Sequence, residues 1–130
     1  MGMPILDYIA VGVGGSVGAI ARYATSGLVQ RLAGDGAPLG TLAVNVIGCL
    51  MIGALSAVAE GATGLSEQTR LVVVVGLLGS FTTFSTFGNE TFELVRDGRY
   101  RAATLYVFAS VLLGLGAVLI GRLAARSLGA

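Results

Sequence analysis

Four long stretches of this sequence carry almost no charge, and their length decides what the chain can become. Gly36 to Ala59 is 24 residues without a charged side chain, Leu71 to Asn89 is 19, and Ala102 to Gly121 is 20. Near the N-terminus, Tyr8 to Gln30 is 23 residues interrupted only by Arg22. A bilayer core needs about 20 apolar residues in a helix rising ~1.5 Å per residue. Four such runs predict an all-α integral membrane protein: one four-helix domain over residues 1–130, with spans at about 5–30, 37–59, 67–95 and 99–125. The first run lacks the positive leader of a secretory signal, and the membrane pattern continues along the whole chain. No soluble domain is expected at either end.

Composition narrows the chemistry. The chain is 55% apolar, 12% charged and contains 21 glycines, against roughly 25% charged residues in average soluble domains. A net charge of +1 gives no reason to expect a nucleic-acid partner. Lys, His and Trp are absent, so no imidazole serves acid–base or metal chemistry. A single cysteine, Cys49, rules out an internal disulfide and a multi-cysteine metal site. The expectation is a protein that is not an enzyme. One enzyme pattern needs an answer: Gly12-Val13-Gly14-Gly15-Ser16-Val17-Gly18 is G-x-G-x-x-x-G, with Asp35 downstream. A dinucleotide loop requires further βα units with amphipathic helices, and the long uncharged runs supply none.

The connections read as turns: Arg31–Pro38, Glu60–Glu67 with Ser66 as a helix N-cap, and Arg96–Arg101 around Asp97-Gly98. Positive residues normally settle on the cytoplasmic side. With an inside N-terminus, Arg70, Arg122 and Arg126 lie inside while Arg31, Arg96, Arg99 and Arg101 lie outside. A chain this balanced can insert both ways up. Glycine placement points to close helix packing: Gly14-x-x-x-Gly18 with Gly12 and Ser16 in the first helix, Gly40, Gly48 and Gly53 in the second, Gly114 and Gly116 in the fourth.

The densest polar signal is Gly76 to Thr91, GLLGSFTTFSTFGNET, within the third run. It holds Ser80, Thr82, Thr83, Ser85, Thr86 and Thr91, with Phe81, Phe84 and Phe87 three apart. Glycines followed by hydroxyls make a poor continuous helix, so a break is expected near 79–83. Backbone groups freed at membrane depth must be satisfied by protein or by a water-filled cavity. Thr41 and Asn45 share a face of the second helix, and Tyr106 and Ser110 share one of the fourth. Arg22 either snorkels or holds carboxylates or carbonyls inside the bundle. Glu90 anchors a loop or caps a pore vestibule. Hydroxyl and amide donors, together with the positive edges of Phe rings, suit a small anion, without a full charge to trap it. They equally suit a neutral polar solute, and the residues alone do not name an ion.

Three segments go further. Gly18-Ala19-Ile20-Ala21-Arg22-Tyr23, Gly40-Thr41-Leu42-Ala43-Val44-Asn45-Val46-Ile47-Gly48 and Gly76-Leu77-Leu78-Gly79-Ser80-Phe81-Thr82-Thr83-Phe84-Ser85-Thr86-Phe87 resemble the signature blocks of the Fluc fluoride-channel family, also called CrcB. Order, spacing and four-helix hydropathy agree over nearly the whole chain. The resemblance implies passive fluoride export across the cytoplasmic (inner) membrane and an antiparallel, dual-topology homodimer with a structural sodium ion at its centre. It places Asn45 at the polar opening of the pathway, and Phe84 and Phe87 against fluoride. Tyr106 and Ser110 fall on a polar track of the fourth helix, and Thr41, Thr83 and Ser85 are weaker members of the pathway. Sodium falls to the backbone carbonyls of Gly79 and Thr82. Gly114 stands where some members carry a second hydroxyl on the fourth helix. Two other readings stay open on the residues: a small four-helix multidrug or cation antiporter, and a non-transporting membrane assembly protein. The antiporter needs a membrane-buried carboxylate, and the first helix has no acid between Tyr8 and Gln30. The assembly protein leaves the polar block unexplained.

Overall fold

A computed structural model describes residues 4–61 and 64–129. Helix α1 spans Ile5–Ala33 and α2 spans Leu39–Glu60. The third membrane pass is assembled from pieces: a turn of helix α3 (Glu67–Thr69), a π-helical segment (Arg70–Leu78), α4 (Gly79–Phe81) and α5 (Phe84–Arg96). Helix α6 spans Tyr100–Ser127. All regular structure among the described residues is helical, and four helical passes, Ile5–Ala33, Leu39–Glu60, Glu67–Arg96 and Tyr100–Ser127, are long and apolar enough to cross a membrane. The helices turn where the local chemistry asks them to. Gly34 ends α1 at φ +78°, and Gly98 makes the tight turn into α6 at φ +72°, a region that glycine enters without a side-chain clash. Ser66 accepts from the Thr69 amide at 3.2 Å, capping α3. Residues 62 and 63 of the expected Glu60–Glu67 turn lie outside the described residues.

Lipid offers no hydrophobic drive between helices, so packing relies on close backbone approach. Helix α2 runs along α6. No side chain could fit at two points on this seam: a β-carbon on Gly53 would overlap the Val118 carbonyl, and one on Gly121 the Leu50 carbonyl. Helix α1 lies on the π-helical segment in the same way, with Gly14 against the Val72 carbonyl and Gly18 against the Leu77 carbonyl. The Gly14-x-x-x-Gly18 pair therefore works within the chain. At the far end of the α2–α6 seam, Glu60 accepts from Arg122 at 2.6 Å and from Arg126 at 3.3 Å. Outward faces carry Val13, Val17, Ile20, Leu112, Leu115 and Leu119, all exposed, as a lipid-facing surface requires.

This topology gathers Arg31, Arg96, Arg99 and Arg101 at the end where α1 stops and α6 begins, with Arg70, Arg122 and Arg126 at the other. The helical pattern gives way within the third pass. Thr82 (φ −85°, ψ 160°) and Thr83 (φ −152°, ψ 121°) are extended, and α5 starts at Phe84. Gly79 is not part of the extended stretch: at φ −60°, ψ −34° it is ordinary right-handed helix. A β-carbon there would meet nothing nearer than the Val74 carbonyl at 3.9 Å. The interruption belongs to the two threonines and needs no special conformation from glycine.

Candidate functional site

The two extended threonines face a shortage of hydrogen-bond partners, and one side chain from another helix meets it. Asn45 of α2 donates from Nδ2 to the Thr83 carbonyl at 3.0 Å and accepts the Thr83 amide on Oδ1 at 2.8 Å. This two-way pairing supplies what a neighbouring strand gives an extended residue. An unmet backbone group in a dry interior costs several kcal/mol, on the order of a lost buried hydrogen bond or more, so Asn45 stabilises the interruption directly. It also commits one of the two Nδ2 protons, leaving the other for a ligand. Gly48, one turn further along α2, gives the Thr82 methyl its room, since a β-carbon would overlap Thr82 Cγ2.

Thr83 then caps α5. Its Oγ1 accepts from the Thr86 amide at 3.2 Å, donates to Thr86 Oγ1 at 3.0 Å and lies 3.3 Å from Ser85 Oγ. The side chain thus takes the place that a preceding carbonyl fills in an unbroken helix. Two carbonyls lose their regular donors in consequence. The Thr83 amide would serve the Gly79 carbonyl in a continuous helix and serves Asn45 instead. The Thr86 amide would serve the Thr82 carbonyl and serves the Thr83 hydroxyl instead.

From the interruption a lane of rings and hydroxyls leads toward the α1–α2 connection. Phe84 is 82% exposed. Its ring centroid is 5.6 Å from that of Phe87, which is 5.3 Å from that of Tyr106. Both pairs are tilted, the geometry that aligns ring edges with faces. Phe87 packs on the buried cluster of Leu94, Ala103 and Tyr106. Tyr106 donates from its hydroxyl to Glu90 at 2.7 Å, and Thr41 donates to the other Glu90 oxygen at 2.8 Å. Thr41 is only 4% exposed. The carboxylate of α5 is thereby joined to α2 and α6, and both its oxygens are occupied. One turn past Tyr106, the Ser110 hydroxyl is buried with no hydrogen-bond partner among the described residues. Such an orphan costs roughly 1–3 kcal/mol unless something binds it.

Two cavities flank this lane. One, of about 210 Å³, is lined by Arg22, Ser26, Thr41, Thr83 and Thr86 among others. Arg22 is half-buried there, and no carboxylate pairs with it among the described residues. An unpaired guanidinium beside several hydroxyls favours an anion. The other, of about 440 Å³, opens at the α1–α2 and α5–α6 connections and reaches Thr41 and Glu90. A third, of about 390 Å³, lies on the outer face along Asn45, Gly48, Leu78, Gly79, Thr82 and Phe84.

The structure thus joins Asn45 to Thr83, Thr83 to Ser85, Phe84 to Phe87, Phe87 to Tyr106, and Tyr106 and Thr41 to Glu90. Gly79 and Thr82 line the cavity of about 390 Å³ with Asn45 and Phe84, and Arg22 lines the smaller one of about 210 Å³. Thr86 belongs to the cap. No cluster of three or more Asp, Glu or Cys residues suited to a metal occurs among the described residues.

Residues 9–122 match the family described as CrcB-like protein, Camphor Resistance (CrcB). The protein from Geobacter sulfurreducens called fluoride-specific ion channel FluC is 49% identical over 120 residues, covering 92% of this chain and 97% of that one. Its namesake from Nitratidesulfovibrio vulgaris is 42% identical over 113 residues, covering 87% and 91%. The one from Geobacter metallireducens is 40% identical over 124 residues, covering 95% and 100%.

Proposed function

The chain belongs to the CrcB-like protein family, and from that premise we propose that it is a fluoride-specific ion channel. It is a multi-pass protein of the cytoplasmic membrane that lets fluoride leave the cell passively and so lowers cytoplasmic fluoride. The observation that carries this reading is the 49% identity to a fluoride-specific channel over 92% of the chain. The antiporter and assembly-protein readings are not favoured by relatives of this kind.

Fluoride is small and strongly hydrated, so a pathway must replace its water with donors and still let it go. Arg22 raises the local anion concentration beside the interruption. The hydroxyls of Thr83, Ser85 and Thr86 and the second Nδ2 proton of Asn45 replace the first waters. The edges of Phe84 and Phe87 carry partial positive charge and hold the ion weakly. Tyr106 and the partnerless Ser110 hydroxyl continue the polar track along α6. Thr41 and Tyr106 hold Glu90 at the far end, where its carboxylate caps the vestibule and discourages an anion from resting.

The working unit of this proposal is an antiparallel, dual-topology homodimer. Three features support it: the near-even division of arginines between the two ends, a polar α5 that a single copy leaves uncovered, and Phe84 standing almost fully exposed. A two-fold contact would use the same face of both copies. Gly79 and Thr82 would hold a sodium ion at that contact. Their carbonyls, short of helical donors, are the oxygen ligands that a hard cation takes. The ion would supply a fixed positive charge near the anion path and is structural.

Efflux from liposomes tests the function. Reconstituted protein should release fluoride and retain chloride; equal release of both, or of neither, would refute the reading. Reporter fusions at Ala130, itself outside the described residues, should report from both sides of the membrane. Exchange of sodium for a bulky organic cation should slow fluoride efflux, and undiminished flux would remove the ion from the account.

A further inference from the structure

One side chain makes three of the bonds that hold the short connection between α1 and α2. Gln30, in the last turn of α1, donates from Nε2 to the Gly34 carbonyl at 2.7 Å and to the Ala37 carbonyl at 3.1 Å. Its Oε1 accepts from the Gly40 amide at 3.1 Å. One amide thus serves three backbone groups that span the end of one helix and the start of the next. The Gly40 N–H is among those a helix N-terminus leaves without a partner, and Pro38, at the cap position of α2, offers no side-chain bond. Arg99 reaches across from the start of α6 to the Gly36 carbonyl, tying the same loop from its other side.

The first turn of α2 is also pinned by shape. A β-carbon on Gly40 would overlap the Ser26 carbonyl, so the backbones of α1 and α2 touch there. Ser26 and Gln30 lie one turn apart on α1, and both face this contact. Between them they fix where α2 begins and how it is rotated.

That position matters because the next residue is Thr41. Its hydroxyl sits on a stiff β-branched side chain, so the backbone of residues 40 and 41 sets where the donor points. Hydrogen bonds weaken steeply as angle and distance drift. The Thr41–Glu90 bond of 2.8 Å crosses from α2 to α5 and cannot follow a shift of α2 alone. Gln30, Thr41 and Glu90 line the same cavity of about 440 Å³.

We infer that Gln30 is a positioning residue of the pathway: it sets the first turn of α2 so that the Thr41 hydroxyl meets Glu90, and thereby sets how fast fluoride passes this mouth. The inference rests on the fluoride-channel reading for its flux measurement. It differs from a simple loop staple, because a staple contributes to stability whether or not Thr41 has a hydroxyl to place.

The test is Gln30→Met, which keeps the length of the side chain and removes all three bonds. In liposomes, fluoride efflux should fall about tenfold while the protein keeps the parent's assembly state. In a Thr41→Val background the same change should add less than about twofold, since two steps in one linkage are not additive. In threonine-labelled protein, the Thr41 methyl resonance should shift in Gln30→Met and the Thr104 resonance should not. Parental flux, an equal loss in both backgrounds, an unmoved Thr41 resonance, or failure of Gln30→Met to insert and assemble would each overturn the inference. A Thr41→Val that keeps parental flux would overturn it too, because the hydroxyl that Gln30 places would then not set the rate. A parent chain that passes no fluoride would refute the channel reading instead, and the Thr41 resonance would still judge Gln30.

Discussion

The α2–α6 seam and the Thr82–Thr83 interruption lie in the same membrane domain and solve opposite problems. Along the seam, Gly53 and Gly121 bring two regular helices into backbone contact, and the side-chain bonds that cross it, from Arg122 and Arg126 to Glu60, lie at its far end. At the interruption, an extended stretch gives up helical bonds and is held by side chains from elsewhere: Asn45 on Thr83, and the Thr83 hydroxyl on Thr86. The cavity beside the seam is lined by apolar side chains such as Val46, Leu50 and Leu112, which offer no donor to an anion. The interruption leaves two carbonyls without their regular helical donors and one Asn45 amide proton uncommitted, beside hydroxyls that bond one another. A membrane protein that must both persist and exchange a small polar ion benefits from keeping these properties in separate places.

The contrast can be broken first at the seam. Gly121→Val should leave little folded protein, because the new β-carbon overlaps the Leu50 carbonyl and overpacking of this kind costs about 1–3 kcal/mol or more. The yield of monodisperse protein in mild detergent measures it, and a parental yield would show the seam to be slack. Next come the rings. Phe84→Ile and Phe87→Ile should each lower fluoride efflux about tenfold, the factor matching one aromatic interaction of roughly 1.4 kcal/mol. Phe87→Ile should also lower the melting temperature more than Phe84→Ile does, since within one copy Phe87 packs against Tyr106 while Phe84 is exposed. Equal melting losses would place Phe84 in a packed core. Thr83→Val should cost about 1 kcal/mol through the lost cap of α5, read as a lower melting temperature. The smallest effect is expected at Gly79. Gly79→Ala should fold within about 0.5 kcal/mol of the parent, and a larger loss would show that the interruption does depend on glycine.

The four passes were legible because a run of about 20 uncharged residues has few other uses. The Ser66 cap and the Asp97-Gly98 turn were legible because they depend only on neighbouring residues. The interruption was visible as a polar block, yet its position relative to Gly79 was not. Glycine at 76 and 79 suits both a break and a close contact, and only tertiary structure shows that Gly76 lies against the Val11 carbonyl of α1. The π-helical turn from Arg70 to Leu78 left no mark either, because RLVVVVGLL suits an i→i+4 ladder as well as a wider one. Asn45 and Thr83 lie 38 residues apart, and Gln30 and Gly40 meet through a folded loop. Such pairings arise from packing, which local patterns do not encode. Sequence therefore singled out residues that the fold brings together more readily than the partners they hold.

The central claim is that the interruption held by Asn45 is where fluoride passes, and Asn45→Asp tests it most directly. The change keeps size and an acceptor for the Thr83 amide, removes the donor to the Thr83 carbonyl, and sets a negative charge beside an anion path. The measurement is fluoride efflux from liposomes, with the assembly state of the same sample recorded. The account predicts a loss of at least about tenfold in protein that still assembles like the parent. Efflux at the parental rate from assembled Asn45→Asp would contradict it.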